Sequence, residues 1–188
     1  MGLASWRDPE PVSAFPEALR VIRVPNLNRP EAVAAITAAS CDLVCLMGAR
    51  IINGKTIAAL RAPIVNIHSS DPRWVRGGPV VIWEVLDGRD YIQLTIHEVV
   101  EALDAGAMLA TRAHGIRFSG GIGRTTRHTM RAARPHVADL FAGVIEQWRR
   151  DELRRTSFQP GQLRVTPPVS QTLRAELRCR RSLARRTY

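Results

Sequence analysis

The chain carries 188 residues, an apolar fraction of 45% and a net charge of +10. A chain of this length can bury a real core within one domain, and no apolar run is long enough to span a bilayer. The first residues lack the charged start and apolar stretch of a signal peptide, so a cytoplasmic location without a membrane partner is expected.

Residues 1–18 are proline-rich and show no sustained period; they read as an irregular lead-in. Residues 19–24 read as a short strand stopped by Pro25. Asn28 or Arg29 before Pro30, with Glu31 in the first turn, marks a helix start, and Ala32, Val33, Ile36 and Ala39 give that helix one apolar side. Residues 43–47 are all apolar and read as a strand covered on both faces, punctuated by Gly48. The flanking Cys41 and Cys45 read as buried thiols; with Cys179 they make no disulfide framework. A helix over about 54–61 leads into an apolar, β-branched strand over 62–67, which ends at His68 and the turn Ser69-Ser70-Asp71-Pro72. This βαβαβ rhythm implies a mostly parallel sheet with right-handed crossovers.

A polar loop through Gly77, Gly78 and Pro79 precedes a helix over about 79–86 and a turn at Asp87-Gly88. Residues 91–97 alternate and read as a strand; 107–111 read as another, with Asp104 in the loop between. Ser119-Gly120-Gly121-Ile122-Gly123 has no strong strand leading into it, so it reads as a flexible connector rather than a dinucleotide fingerprint. Val137, Leu140, Phe141, Val144, Ile145 and Trp148 fall on one helical face, with Pro135 at its start or at a kink. Residues 156–188 show little periodicity and hold Arg174, Arg178, Arg180, Arg181, Arg185 and Arg186. They read as a basic, weakly structured tail, solvated rather than built for nucleic acid, which is disfavoured as a partner. Lys55 is the only lysine, a skew that suits biased codon usage as well as it suits selection for a polyanion.

Asn66 and His68 alternate with Val65 and Ile67, so their side chains leave one face together at a strand end, where open α/β sheets place ligands. An amide and an imidazole there suit polarising a carbonyl and moving a proton. His97 reads as an ordinary strand histidine. His114, His128 and His136 have no ligand spacing with acids or cysteines, so no metal is expected.

In order, Asn66-Ile67-His68, Arg76-Gly77 with Pro79 and Trp83, Thr95-Ile96-His97 and Leu103-Asp104-Ala105-Gly106 resemble the motif series of the 10-formyltetrahydrofolate-dependent formyltransferases. That family includes glycinamide ribonucleotide, methionyl-tRNA and sugar-amine formyltransferases. The likeness runs from about residue 19 to 111, and more loosely to 152. It implies a three-layer, Rossmann-like α/β domain over 19–155. It also implies transfer of a formyl group from 10-formyltetrahydrofolate to a small-molecule primary amine, with an amino sugar favoured among acceptors. Asn66, His68 and Asp104 match the family's catalytic trio. Asn66 and His68 would polarise the formyl carbonyl; Asp104 would orient His68, raise its pKa and assist proton transfer. Ala49, Arg50, Ile52 and Ile57 match the folate-binding wall, and Val100 and Glu101 match the second wall.

Two local departures stand out: Asp71-Pro72-Arg73 where the family often has Leu-Leu-Pro, and Gln93 where it often has glycine. The family's opening strand, glycine turn, helix and strand find no counterpart ahead of residue 19. The domain is therefore expected to be N-terminally abbreviated, with its exposed sheet covered by a second copy or a partner chain. Two alternatives share the trio: a formyltetrahydrofolate hydrolase, with water in place of the amine, and a truncated, non-catalytic remnant.

Overall fold

The computed structural model describes residues 22–185. In chain order the elements are α1 (Pro30–Ala38), β1 (Val44–Leu46), α2 (Gly54–Ala59), β2 (Ile64–His68), β3 (Val75–Gly77), α3 (Val80–Leu86), β4 (Tyr91–Glu98), β5 (Met108–Gly115), α4 (Ile122–Arg149), β6 (Gln162–Arg164) and α5 (Val169–Ala184). The α/β class is as expected. Half of the strand expected over 19–24 lies outside the described residues, and 22–24 form no strand.

The main sheet runs β1-β2-β4-β5 and a second, two-stranded sheet pairs β3 with β6. In the main sheet β1 and β2 are parallel, whereas β2–β4 and β4–β5 are antiparallel. The mostly parallel sheet of the expectation is thus corrected among the described residues. The reason lies in the connections: α2 carries the chain back between β1 and β2, but β4 enters after the short α3 from the opposite end, and a loop then folds β5 straight back along it. Successive residues of β2 enter different apolar clusters, Ile64 joining Leu46, Ile52 and Leu60, and Val65 joining Val85, Ile92, Leu94, Ile96 and Phe141. Side chains alternate across a strand, so the two clusters cover opposite faces and the architecture has three layers.

β1 is less covered than an all-apolar strand suggests: Leu46 is buried but Cys45 is exposed, and so is Cys41, which corrects the reading of two buried thiols. Among the described residues β1 ends the sheet, and no described strand lies beyond it.

The C-terminal third is more ordered than its sequence suggests. α4 begins at Ile122 and passes through Pro135, with the glycine-rich stretch at its head rather than as a loose connector. After Ile122 its first turns bury threonines: Thr129 Oγ1 accepts the Arg117 N–H at 2.9 Å and Thr125 Oγ1 accepts that of Ser119 at 3.1 Å. Hydroxyls satisfied in this way stand in for the missing apolar stripe. The tail is likewise corrected. Its α5 buries a narrow face of Ala175 and Cys179 and leaves Val169, Leu173 and Leu177 in solvent, so its helical period is inverted relative to the usual rule. Glu176 ties it to α4 by accepting the Ile122 N–H at 2.7 Å. No helix among the described residues is long and apolar enough to cross a membrane.

Candidate active site

The end of β2 brings Asn66 and His68 to the middle of the main sheet. In register, His97 of β4 stands opposite Asn66 and Thr95 opposite His68. The loop between β4 and β5 then returns Asp104 to the same place, with φ at +48°. Asp104 is held from three sides. Its Oδ2 accepts the backbone N–H of Gly77 at 2.8 Å and lies 3.7 Å from His68 Nδ1, while Oδ1 lies 3.4 Å from His97 Nε2. His68 is 7% exposed, Asp104 8% and His97 2%, so the cluster is charge-bearing and nearly dry.

The two histidines are oriented differently. His97 Nδ1–H donates to the Glu98 carbonyl at 2.8 Å, and its Nε2 sits 3.4 Å from Asn66 Nδ2 as well as beside the carboxylate. Nε2 therefore bonds one neighbour or the other according to whether it carries the hydrogen. His68 Nε2–H donates to the Val75 carbonyl at 3.2 Å. Burial pushes the His68 pKa below its ordinary value, and the opposing pull of Asp104 does not overcome it; the positive field of His97 adds to the lowering. The expectation that Asp104 raises this pKa is corrected, because desolvation outweighs one carboxylate at 3.7 Å. For Asp104 burial pushes up, but the His97 hydrogen bond, the His68 charge and the Gly77 N–H together hold it below the usual carboxylate range. The cluster at neutral pH is thus an ionised carboxylate beside a neutral His68.

His97, read from the sequence as an ordinary strand histidine, stands instead beside Asp104 in the buried cluster. Its sequence signal was register: it sits two residues beyond Thr95 on a strand whose alternation matches that of β2.

The cluster opens on a cleft of about 610 Å³, within the range of small-molecule sites. Ala49, Arg50, Ile52, Val100 and Glu101 all line it. Ile57 does not; it is turned on α2 into the apolar cluster of Leu46, Ile52, Leu60 and Ile64. The neighbouring Ile51 and Val100 are 67% and 42% exposed, which offers apolar surface to a flat heteroaromatic ring. Asn28 fixes that wall: its Nδ2 donates to the Ile51 carbonyl and its Oδ1 accepts the Asn53 N–H, both at 2.9 Å. These features fit a folate-like donor. Among the described residues no group of three or more histidine, cysteine or acidic residues could hold a metal ion.

The other end of the cleft is made by a part of the chain that sequence reading set aside. β3, read as loop, pairs in parallel with β6, which places Leu163, Arg164, Val165 and Thr166 in the wall. The approach is close: the Gly78 N–H donates to the Arg164 carbonyl at 3.1 Å, and a Cβ on Gly77 would stand 2.5 Å from that oxygen. Arg76 spans the seam, donating to the Gly161 carbonyl at 2.9 Å and, at 3.0 Å, to the carbonyl of Leu103, the residue before Asp104.

A family model described as formyl transferase matches residues 3–132, beginning ahead of the residue-19 start expected for the likeness. The methionyl-tRNA formyltransferase of Streptococcus sanguinis (strain SK36) is 27% identical over 106 residues, 56% of this chain and 33% of its own. That of Enterococcus faecalis (strain ATCC 700802 / V583) is 30% identical over 115 residues, 61% of this chain and 32% of its own. The chain thus spans about a third of the length of these curated relatives. Among solved structures, HypX from Aquifex aeolicus in complex with tetrahydrofolic acid is similar at a TM-score of 0.58 and 18% identity, over 78% of this chain and 27% of that one. PseJ from Anoxybacillus kamchatkensis, in complex with UDP-4,6-dideoxy-4-formamido-L-AltNAc and tetrahydrofolate, is similar at a TM-score of 0.53 and 22% identity, over 65% of this chain and 64% of that one. At these identities the structural likeness establishes the fold.

Proposed function

The chain belongs to the formyl transferase family, and from that premise we propose that it transfers a formyl group from 10-formyltetrahydrofolate to a primary amine. The observation that carries the reading is the buried cluster of His68, His97 and Asp104, with half-buried Asn66 beside it, at the floor of a cleft of about 610 Å³. HypX and PseJ are both solved in complex with tetrahydrofolate, which supports the donor; the formamido sugar bound to PseJ supports an amino sugar as acceptor.

The amine nitrogen attacks the formyl carbon, the bond from that carbon to N10 of the folate breaks, and the amine's proton leaves as N10 gains one. Asn66 donates an N–H to the formyl oxygen as it takes on negative charge, while neutral His68, its Nε2–H held by the Val75 carbonyl, offers a bare Nδ1 that can take up the amine's proton and donate only once it carries one. Asp104, held ionised, accepts the amine's proton directly or through His68. His97 and the Gly77 N–H keep the carboxylate aimed and give it no room to turn away. Ala49, Ile52 and Val100 supply the donor's apolar bed, with Arg50 and Glu101 at its edge.

The test is titration of the chain with a stable 10-formyl-folate analogue, beside His68→Ala and Asp104→Ala, followed by product analysis with and without amines. Saturable binding and amine-dependent formylation support the reading. A folded chain that binds no analogue sinks it, and release of formate without need of an amine replaces it with hydrolysis.

A further inference from the structure

The catalytic cleft does not stop at β6. Its wall residues Leu163, Arg164 and Val165 also line a second cavity of about 500 Å³, bounded by the end of α3 and the first two turns of α5. Resting on the reading above, the folate donor takes the end of the cleft lined by Ala49, Ile52 and Val100, which leaves the β6 end and the cavity beyond it to the acceptor.

The charged side chains among the described lining residues of this second cavity are Asp87, Arg164 and Arg174, and the first two cancel. Arg164 Nη1 donates to both carboxylate oxygens of Asp87, at 2.9 and 3.0 Å, so Asp87 offers a ligand no free negative charge. Arg174 is left over. It is exposed on α5, and its guanidinium has no partner among the described residues. Gln171 gives a second, independent sign. Its Oε1 is buried without a hydrogen-bond partner, one turn before Arg174 on the same helix. A buried acceptor without a donor is costly until a hydroxyl or N–H meets it. A guanidinium without a counter-ion suits the reverse, a phosphate held by charge-assisted bonds. Gln171 also stands in the first turn of α5, where the helix dipole adds to the positive field. Both residues lie beyond residue 132, where the match to the family model ends, so the subsite is drawn from this chain's own C-terminal segment.

We infer that the acceptor amine is carried on a phosphate-linked body that runs over β6, its phosphate held by Arg174 and a hydroxyl or N–H of the attached group donating to Gln171 Oε1, so that these two residues of α5 select the acceptor.

The experiment offers glucosamine and UDP-glucosamine to the full chain supplied with 10-formyltetrahydrofolate. Beside it, calorimetry measures binding of UDP, pyrophosphate and uridine with the donor analogue in place. The wild type should favour UDP-glucosamine by about tenfold or more in kcat/KM, and should bind UDP about tenfold or more tighter than uridine. Arg174→Gln should weaken UDP and pyrophosphate alike, by about tenfold, and act on KM rather than kcat. Gln171→Leu should weaken UDP and leave pyrophosphate unmoved. Arg181→Gln, on α5 but lining another cavity, should leave both unmoved, and donor-analogue binding should hold in all three variants. Equal use of the two amines, preference for glucosamine, UDP bound no tighter than uridine, UDP binding unmoved in Arg174→Gln or Gln171→Leu, or equal losses in Arg174→Gln and Arg181→Gln overturns the inference. Where neither amine is formylated, the binding series decides alone. Donor-analogue binding without UDP binding sinks this inference and leaves the donor reading standing. UDP binding without donor-analogue binding marks the failure of the formyl-transfer reading itself, and of the acceptor with it.

Discussion

His68 and Asp104 face each other at 3.7 Å, yet their environments pull their proton affinities the same way, both downward. The sign for stability follows. Between the lowered His68 pKa and the ordinary value of 6.5, the unfolded chain binds more protons than the folded one. His114 behaves alike, since burial lowers its pKa and its Nε2 is buried without a partner. Stability should therefore be complete above about pH 6.5 and fall as pH drops below it. The Asp104 contribution is lost only further down, as pH falls through its depressed carboxylate pKa. Thermal unfolding at several pH values checks this: His114→Gln should flatten the slope below pH 6.5, and parallel curves would refute the assignment. In the proposed transfer Asp104 acts through its charge rather than its shape. Asp104→Asn should lower kcat by about 10²–10⁴ with donor-analogue binding retained, read by single-turnover formylation.

Among elements, the seam between β3 and β6 is where one methyl group matters. Gly77 has φ at +82°, and its Cβ would stand 2.5 Å from the Arg164 carbonyl oxygen. Gly77→Ala should cost about 1–3 kcal/mol in urea unfolding. Gly115→Ala, with nothing within 4 Å of its Cβ, should change stability little. This seam also explains what the sequence showed and what it hid. Asn66, His68 and Asp104 sit on a β-branched strand and in a loop whose motif spacing survives in one dimension, and the structure brings all three together. β3 and β6 are three residues each, too short for alternation to register. α5 packs through Ala175 and Cys179 while its larger apolar residues face outward, so the usual period pointed the wrong way. Ile57 lies on the correct helix but on its core side, a distinction of one helical face that no motif carries.

For the molecule as a whole, the net charge of +10 is a self-repulsion that salt can screen. Raising sodium chloride from about 50 mM to about 0.5 M, which shortens the screening length severalfold, should lift the midpoint of thermal unfolding by roughly 2–4 °C. A fall would mean that surface ion pairs such as Arg155–Glu98 and Arg112–Asp139 outweigh the repulsion. The pairing of β3 with β6 also sets an order of events. The bond from Arg76 to the Gly161 carbonyl joins residues 85 apart in the chain. Asn66, His68 and Asp104 all leave the ribosome before β6 exists, so a nascent chain can hold all three with that wall of the cleft still unmade. Long-range pairing of this kind closes late, and the cleft gains its last wall as nearly the final act of folding.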